Sequence, residues 1–268
     1  MSLDAAAAEA GYTLVNLAAR GDRSSIYRAD DEAGRRVALR VFGSDVEMAE
    51  LRHRVDALAA VDHANVLSVL EAMELGDEPA VAAEWFDGVT LADELAGPEP
   101  MPEVRAERLT GRLFDGLEAI HRASLAHGSV SLHDVLVDGD ALLLVDLSLG
   151  LSSTSATAAD DISAVGPVVE ALFSRTDLPK WRADAIASIG RPDGPADIDA
   201  LRDALLPSRR ERARRERIEN EEKQPILLMI AVGLGAALVT LGAFLWLGPD
   251  EEPLPGPTIT GEITDTGS

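Results

Sequence analysis

The chain has 268 residues, enough for one domain of good size plus appendages; 46% are hydrophobic and only 4% aromatic, so its core must be mostly Ala, Leu and Val. Cysteine is absent, which excludes disulfides, thiolate catalysis and cysteine-bound zinc, and the five histidines (His53, His63, His121, His127, His133) show no metal-ligand spacing. The net charge is −23, and residues 1–208 carry 17 Lys and Arg against 37 Asp and Glu, a surface that repels nucleic acid.

No basic start followed by an apolar run opens the chain, so no signal peptide is expected. YTLVNLAA (12–19), SSIYRAD (24–30) and RRVALRVF (35–42) read as strands, with turns at Gly21-Asp22 and Glu32-Ala33-Gly34. A helix is expected from about Asp45 to Ala60, with Val46, Leu51, Val55 and Leu58 on one side. VLSVLEAMEL (66–75) and AVAAEW (80–85) supply two more strands. Leu109, Leu113, Leu117 and Ile120 recur at helical spacing and predict a long helix over about 102–122. VLV and ALLLVDL flank Asp138-Gly139-Asp140 as a hairpin. Helices are expected again at 161–173, 180–189 and 196–206, with Pro167 kinking or restarting the first of them.

Residues 226–247, ILLMIAVGLGAALVTLGAFLWL, hold no charge over 22 positions. As a helix they reach ~33 Å, enough to cross a membrane. Six arginines between Arg209 and Arg217 precede the span, and a tail with five acids and no Lys or Arg follows it. Basic flanks stay inside, so the N-terminal domain is expected in the cytoplasm and the short tail outside. The resulting division is a folded domain over 1–207, a basic juxtamembrane segment 208–224, a transmembrane helix 225–248 and a disordered acidic tail 249–268. Small residues at Gly233 and Ala237 make a homodimer through the span conceivable.

Five strands with one helix, then a mostly helical region, resemble the protein kinase fold, and motifs follow in the same order. HANVLSVLEAMELGDEPAVAAEWFDGVTL looks like the family's run into the hinge between lobes. HGSVSLHDVLV stands where the catalytic loop HRDxKxxNxL belongs, VDLS stands at DFG, and Asp161 and Gly166 match the Asp-xxxx-Gly signature of the helix that braces the loop. The resemblance covers about residues 12–173 and is nearest to bacterial membrane-anchored Ser/Thr kinases. It implies an α+β, bilobal architecture: a five-stranded N-lobe with one helix, an abbreviated, mostly helical C-lobe, then one transmembrane helix.

The same alignment of motifs implies a damaged site. Phosphoryl transfer needs a phosphate cradle, a phosphate-anchoring cation, metal ligands and a base. Of the glycine-rich loop only Gly21 survives, with Asp22 beside it; Arg40 replaces the strand Lys, and Arg54 stands where the helix Glu belongs. Glu50 is expected to pair with Arg54 one turn on rather than with Arg40. His127 matches, but Ser129 occupies the position of the catalytic Asp and Ser131 that of the phosphate-contacting Lys. Asp146 and Asp134 remain as candidate metal ligands. Only fourteen residues separate Asp146 from Asp161, too few for a full activation segment.

The expectation is therefore a membrane-anchored pseudokinase acting by protein–protein binding, with no catalytic residue and no bound cofactor; the alternative is an atypical kinase with residual activity that uses ATP and Mg²⁺. Ser152, Ser153, Thr154, Ser155 and Thr157 are candidate phosphoacceptors for an active Ser/Thr kinase, to be read by a forkhead-associated domain. Other cytoplasmic proteins complete the expected partners.

Overall fold

In the computed structural model, residues 1–21, 23–128, 130–145, 156–208 and 210–218 are described. Met1–Glu216 form one unit and Arg217–Ser268 a second. The apolar span, the acidic tail, Asp22, Ser129, Asp146 and Ser152–Ser155 lie outside the described residues. Among those described, no helix is long and apolar enough to cross a membrane.

The Ala-rich start carries no periodic signal, yet it forms a helix, α1 (Leu3–Glu9), capped by the Ser2 hydroxyl accepting from the Ala5 amide. It is an addition to the expected single N-lobe helix. Its buried Ala6 and Ala7 lie on a sheet of five strands: β1 (Tyr12–Arg20), β2 (Ser24–Asp31), β3 (Arg36–Phe42), β4 (Val69–Leu75) and β5 (Glu78–Glu84). The order is β1-β2-β3-β5-β4, antiparallel throughout, with bulges in β1 at Leu14/Asn16 and Leu17/Ala19.

Strand alternation assigns the two faces. Val37, Leu39 and Val41 of β3 turn toward α1, so Ala38 and Arg40 fall on the opposite face. Small residues let α1 lie close: Ala80 and Ala82 of β5 join the same clusters. Tyr12 at the head of β1 donates its hydroxyl to Glu71 on β4 (2.6 Å), and burial together with that carboxylate pushes the phenol well above its usual range. The second helix, α2 (Met48–Leu58), buries Leu51, Val55 and Leu58 with Val46 just before it, the side read from the sequence.

β4 begins at Val69, not at 66, because residues 65–67 are committed elsewhere. The Leu144 amide donates to the Asn65 carbonyl, the Leu67 amide to the Leu144 carbonyl, and Asn65 Nδ2 to the Leu142 carbonyl, each at 2.9 Å. These bonds fasten the upper sheet to a second, three-stranded one: β6 (Val89–Thr90), β7 (Val135–Asp138) and β8 (Ala141–Leu144). The hairpin stands at its expected position, while β6 and the short α3 (Leu91–Leu95) went unpredicted.

The long helix is α4 (Glu103–Arg122), and Leu109, Leu113, Phe114, Leu117 and Ile120 along it are fully buried. Each such side chain contributes about 1.5–3 kcal/mol by leaving water. Against it pack α5 (Ala158–Phe173) and α7 (Ile198–Leu205), with α6 (Lys180–Ser188) between them in the chain. Pro167 does not restart α5, which runs unbroken through it. The residue before it is Gly166, which has no Cβ to meet the proline ring, so that part of the usual clash is absent. Beyond α7, residues 210–216 are again helical and lie on the domain: Arg212 pairs with Glu107 (2.9 Å), and Arg215 donates to the carbonyls of Ala204 and Asp203 (3.1 Å each).

Gly116 is the closest approach between α4 and this junction. A Cβ there would sit 2.8 Å from Leu144 Cδ1 and 2.9 Å from the Asn65 carbonyl oxygen, which is itself bonded to Leu144. Backbone cannot give way as a side-chain tip can. Gly116→Ala is therefore expected to destabilise the chain by about 1–3 kcal/mol in urea unfolding, although Ala is the better helix former. An unchanged unfolding midpoint would show that the junction is looser than its distances.

Candidate functional site

The loop between α4 and β7 carries His127, and one buried carboxylate organises it. Asp161, in the first turn of α5, is fully buried. Its Oδ2 accepts from the His127 amide (2.8 Å) and lies 2.8 Å from His121 Nε2; its Oδ1 accepts from the Gly128 amide (2.8 Å). An ionised carboxylate only accepts, so the His121 ring donates. Gly128 sits at φ 88°, a conformation glycine adopts without strain, and this places its amide beside that of His127. The buried His127 ring reaches β8's end, its Nε2 2.9 Å from the Val145 carbonyl. The start of α5 also suits negative charge.

The same helix start uses Thr157. Its hydroxyl accepts from the Asp160 amide and donates to the Asp160 carboxylate (2.7 Å), which in turn accepts from the Thr157 amide (2.8 Å), a reciprocal capping box. The Thr157 hydroxyl and amide hold the Asp160 carboxyl below its ordinary value.

Other candidate residues are tied up locally. Ser131 donates to the Asp134 carboxylate (2.5 Å), and the Asp134 carbonyl accepts from the Val145 amide (2.9 Å). Asp134 thus stands at the mouth of the hairpin, with Val145 on the other strand's exit. Gly21 spends its amide on the Ser24 carbonyl (2.9 Å) to close the β1–β2 turn. Arg40 donates Nε to Ser24 Oγ (2.9 Å) and lies 5.0 Å from the Phe42 ring centre. Arg54 pairs with Glu50 at 2.9 Å along α2.

This arrangement fits a magnesium nucleotide poorly. The cradle is one glycine whose N–H already closes a turn, and the phosphate-anchoring position is a forked guanidinium bonded to β2. Among the described residues no group of three or more His, Asp or Glu is placed to hold a metal ion, and Asp146 lies outside them, as does Ser129.

Several residues of consequence carried no sequence signal. Arg182 of α6 is fully buried between Glu103 and Glu107 of α4, with Phe173 and Trp181 stacked on it at 5.3 and 4.7 Å. Asn65 joins the two sheets as described above. At the hinge, Trp85 donates its indole N–H to Asp87 (2.8 Å), which also pairs with Arg36 (2.7 Å). The Trp85 bond, with Arg36 beside it, lowers the Asp87 carboxyl.

No family model matches the chain. Known relatives are nevertheless found by sequence. Serine/threonine-protein kinase pkn2 of Myxococcus xanthus is 30% identical over 159 residues, covering 56% of this chain and 19% of the relative. PknL of Mycobacterium tuberculosis is 29% identical over 175 residues, 62% of this chain and 43% of the relative. PrkC of Bacillus subtilis is 21% identical over 164 residues, 59% and 25% respectively. The matched region thus spans less than half the length of each relative. Among solved structures, Rad53 residues 1–466 in complex with AMP-PNP superimposes with a TM-score of 0.62 at 13% identity, over 71% of this chain and 64% of that one, a likeness of fold. Over the region that carries the carboxylate-braced loop, the chain is thus similar in sequence to bacterial serine/threonine-protein kinases and similar in fold to the Rad53 structure.

Proposed function

We propose that the protein is a membrane-anchored pseudokinase, a signalling scaffold that works through protein–protein binding and transfers no phosphate. One observation carries the reading: the brace remains while the chemistry it serves does not. Asp161 holds the His127 and Gly128 amides at 2.8 Å, yet the next residue, where a base belongs, is Ser129. A serine cannot take a proton near neutral pH as a carboxylate does. The second support is the pair Arg40 and Arg54, two cations where activity needs a Lys–Glu ion pair, with Arg54 held by Glu50.

The apolar span 226–247 behind its arginines supports a single-pass anchor with the domain in the cytoplasm. Within that setting an active Ser/Thr kinase would modify the loop before α5, and a forkhead-associated domain would read it. Thr157 is the poorest acceptor of the five, because its hydroxyl caps α5 and faces the Asp160 carboxylate, where a phosphate would meet like charge.

The test is a melting curve of the full chain with and without ATP and Mg²⁺, paired with a radiolabel transfer assay. The expected result is an unshifted melt and no label on any protein. Stabilisation by ATP that Asp146→Asn abolishes, or transfer of label, would overturn the reading in favour of an atypical kinase.

A further inference from the structure

A groove of about 700 Å³ opens beside the hinge; neither Gly21, Arg40 nor Asp134 lines it. Its walls are Leu58, Val61, Leu67, Trp85, Phe86 and Leu143, gathered from the end of α2, the segment leading into β4, the hinge and β8. Leu67, Trp85, Phe86 and Leu143 keep part of their surface in water. A groove of this size that mixes apolar and polar lining is suited to holding a ligand's side chains.

Its polar lining is two carboxylates with His63 and Ser68. Asp62 and Glu84 line it, both exposed, and no Lys or Arg does. Neither carboxylate has a hydrogen bond or ion pair within the described structure. Trp85 stands between them in function: its N–H is already spent on Asp87, so its ring offers only a π face. An aromatic ring and unpaired carboxylates lining one groove favour a guanidinium, which both stacks and forks, over the point charge of an ammonium.

We infer that this groove docks an arginine-bearing segment of a partner protein, the guanidinium on Trp85 and Glu84 and a neighbouring aliphatic side chain among Leu58, Val61 and Leu67. The inference rests on the scaffold reading and gives it a contact surface. That reading fails by phosphate transfer; this one fails by peptide binding, so the two outcomes are separate.

The probe is a fluorescein-labelled peptide, acetyl-Gly-Arg-Leu-Arg-Leu-Gly-amide, titrated into the full chain and followed by anisotropy. Saturable binding is expected, weakened about tenfold by the double change Asp62→Asn, Glu84→Gln and several-fold by Lys in place of Arg in the peptide. Because the whole domain is acidic, the control is Asp177→Asn, Asp193→Asn, which removes equal charge at exposed positions outside the groove. It is expected to leave binding within about twofold. Trp85→Ala should weaken binding as the acid pair does, and the acid pair, being on the surface, keeps the test valid if Trp85→Ala does not fold. Equal losses from both acid pairs, or no saturation up to about 1 mM peptide, would overturn the inference.

Discussion

Asp161→Ala is expected to lower the melting temperature of the full chain by roughly 10 °C. The side chain is fully buried and accepts three hydrogen bonds, two from backbone amides and one from His121. Removing it strands the buried His127 amide and takes the partner from the part-buried Gly128 amide and His121 ring, at about 1–3 kcal/mol for each donor where burial is complete. Partial relaxation of the loop reduces the sum to about 3–5 kcal/mol. Asp161→Asn keeps one oxygen of the same shape, so about half the loss is expected. Hydrogen exchange at the His127 and Gly128 amides gives the local check, since both should lose protection in the Ala variant before the rest of the domain does. A melt within about 2 °C of the parent would mean that the loop is held by something else.

Arg182 tests a different physics. Its guanidinium is fully out of water, paired with two carboxylates and stacked between Phe173 and Trp181. Glu103 remains 41% exposed and Glu107 also holds Arg212, so losing the cation leaves neither carboxylate stranded. The larger loss is the volume and the stacking. Arg182→Ala should cost about 3–5 kcal/mol, from cavity and broken pairs together. Arg182→Met fills the space without the charge, and is expected to recover most of that loss, because desolvating an ion pair offsets much of its attraction. If Met proves as damaging as Ala, the ion pairs themselves stabilise the C-lobe. Denaturant unfolding of the three proteins decides it.

Periodicity made β3, α4 and the β7–β8 hairpin legible, since their apolar spacing reports a face buried in one direction. The start at residue 3 was not legible: α1 buries adjacent Ala6 and Ala7, which trace no stripe. Nor was β6, two residues long and defined only by its pairing with Leu136 and Val137. Val66 and Leu67 looked like strand and instead bridge to Leu144 of β8, a competition no local pattern reveals.

The site divided the same way. Asp161, His127 and Asp134 were identified by their order along the chain, and the fold brings Asp161 and His127 together across 34 residues. Arg182 reaches partners 75 and 79 residues earlier, and the hinge groove draws on three separate stretches, so neither has a sequence signature.

The position of α1 has a consequence for competition between surfaces. One broad face of the five-stranded sheet, including Val37, Leu39, Val41, Ala80 and Ala82, is already covered by the chain's own first turns. A foreign protein cannot use that face without first evicting seven helical residues and uncapping Ser2. The leading segment therefore acts as an internal occupant, leaving the hinge side of the domain as the more accessible place for visitors.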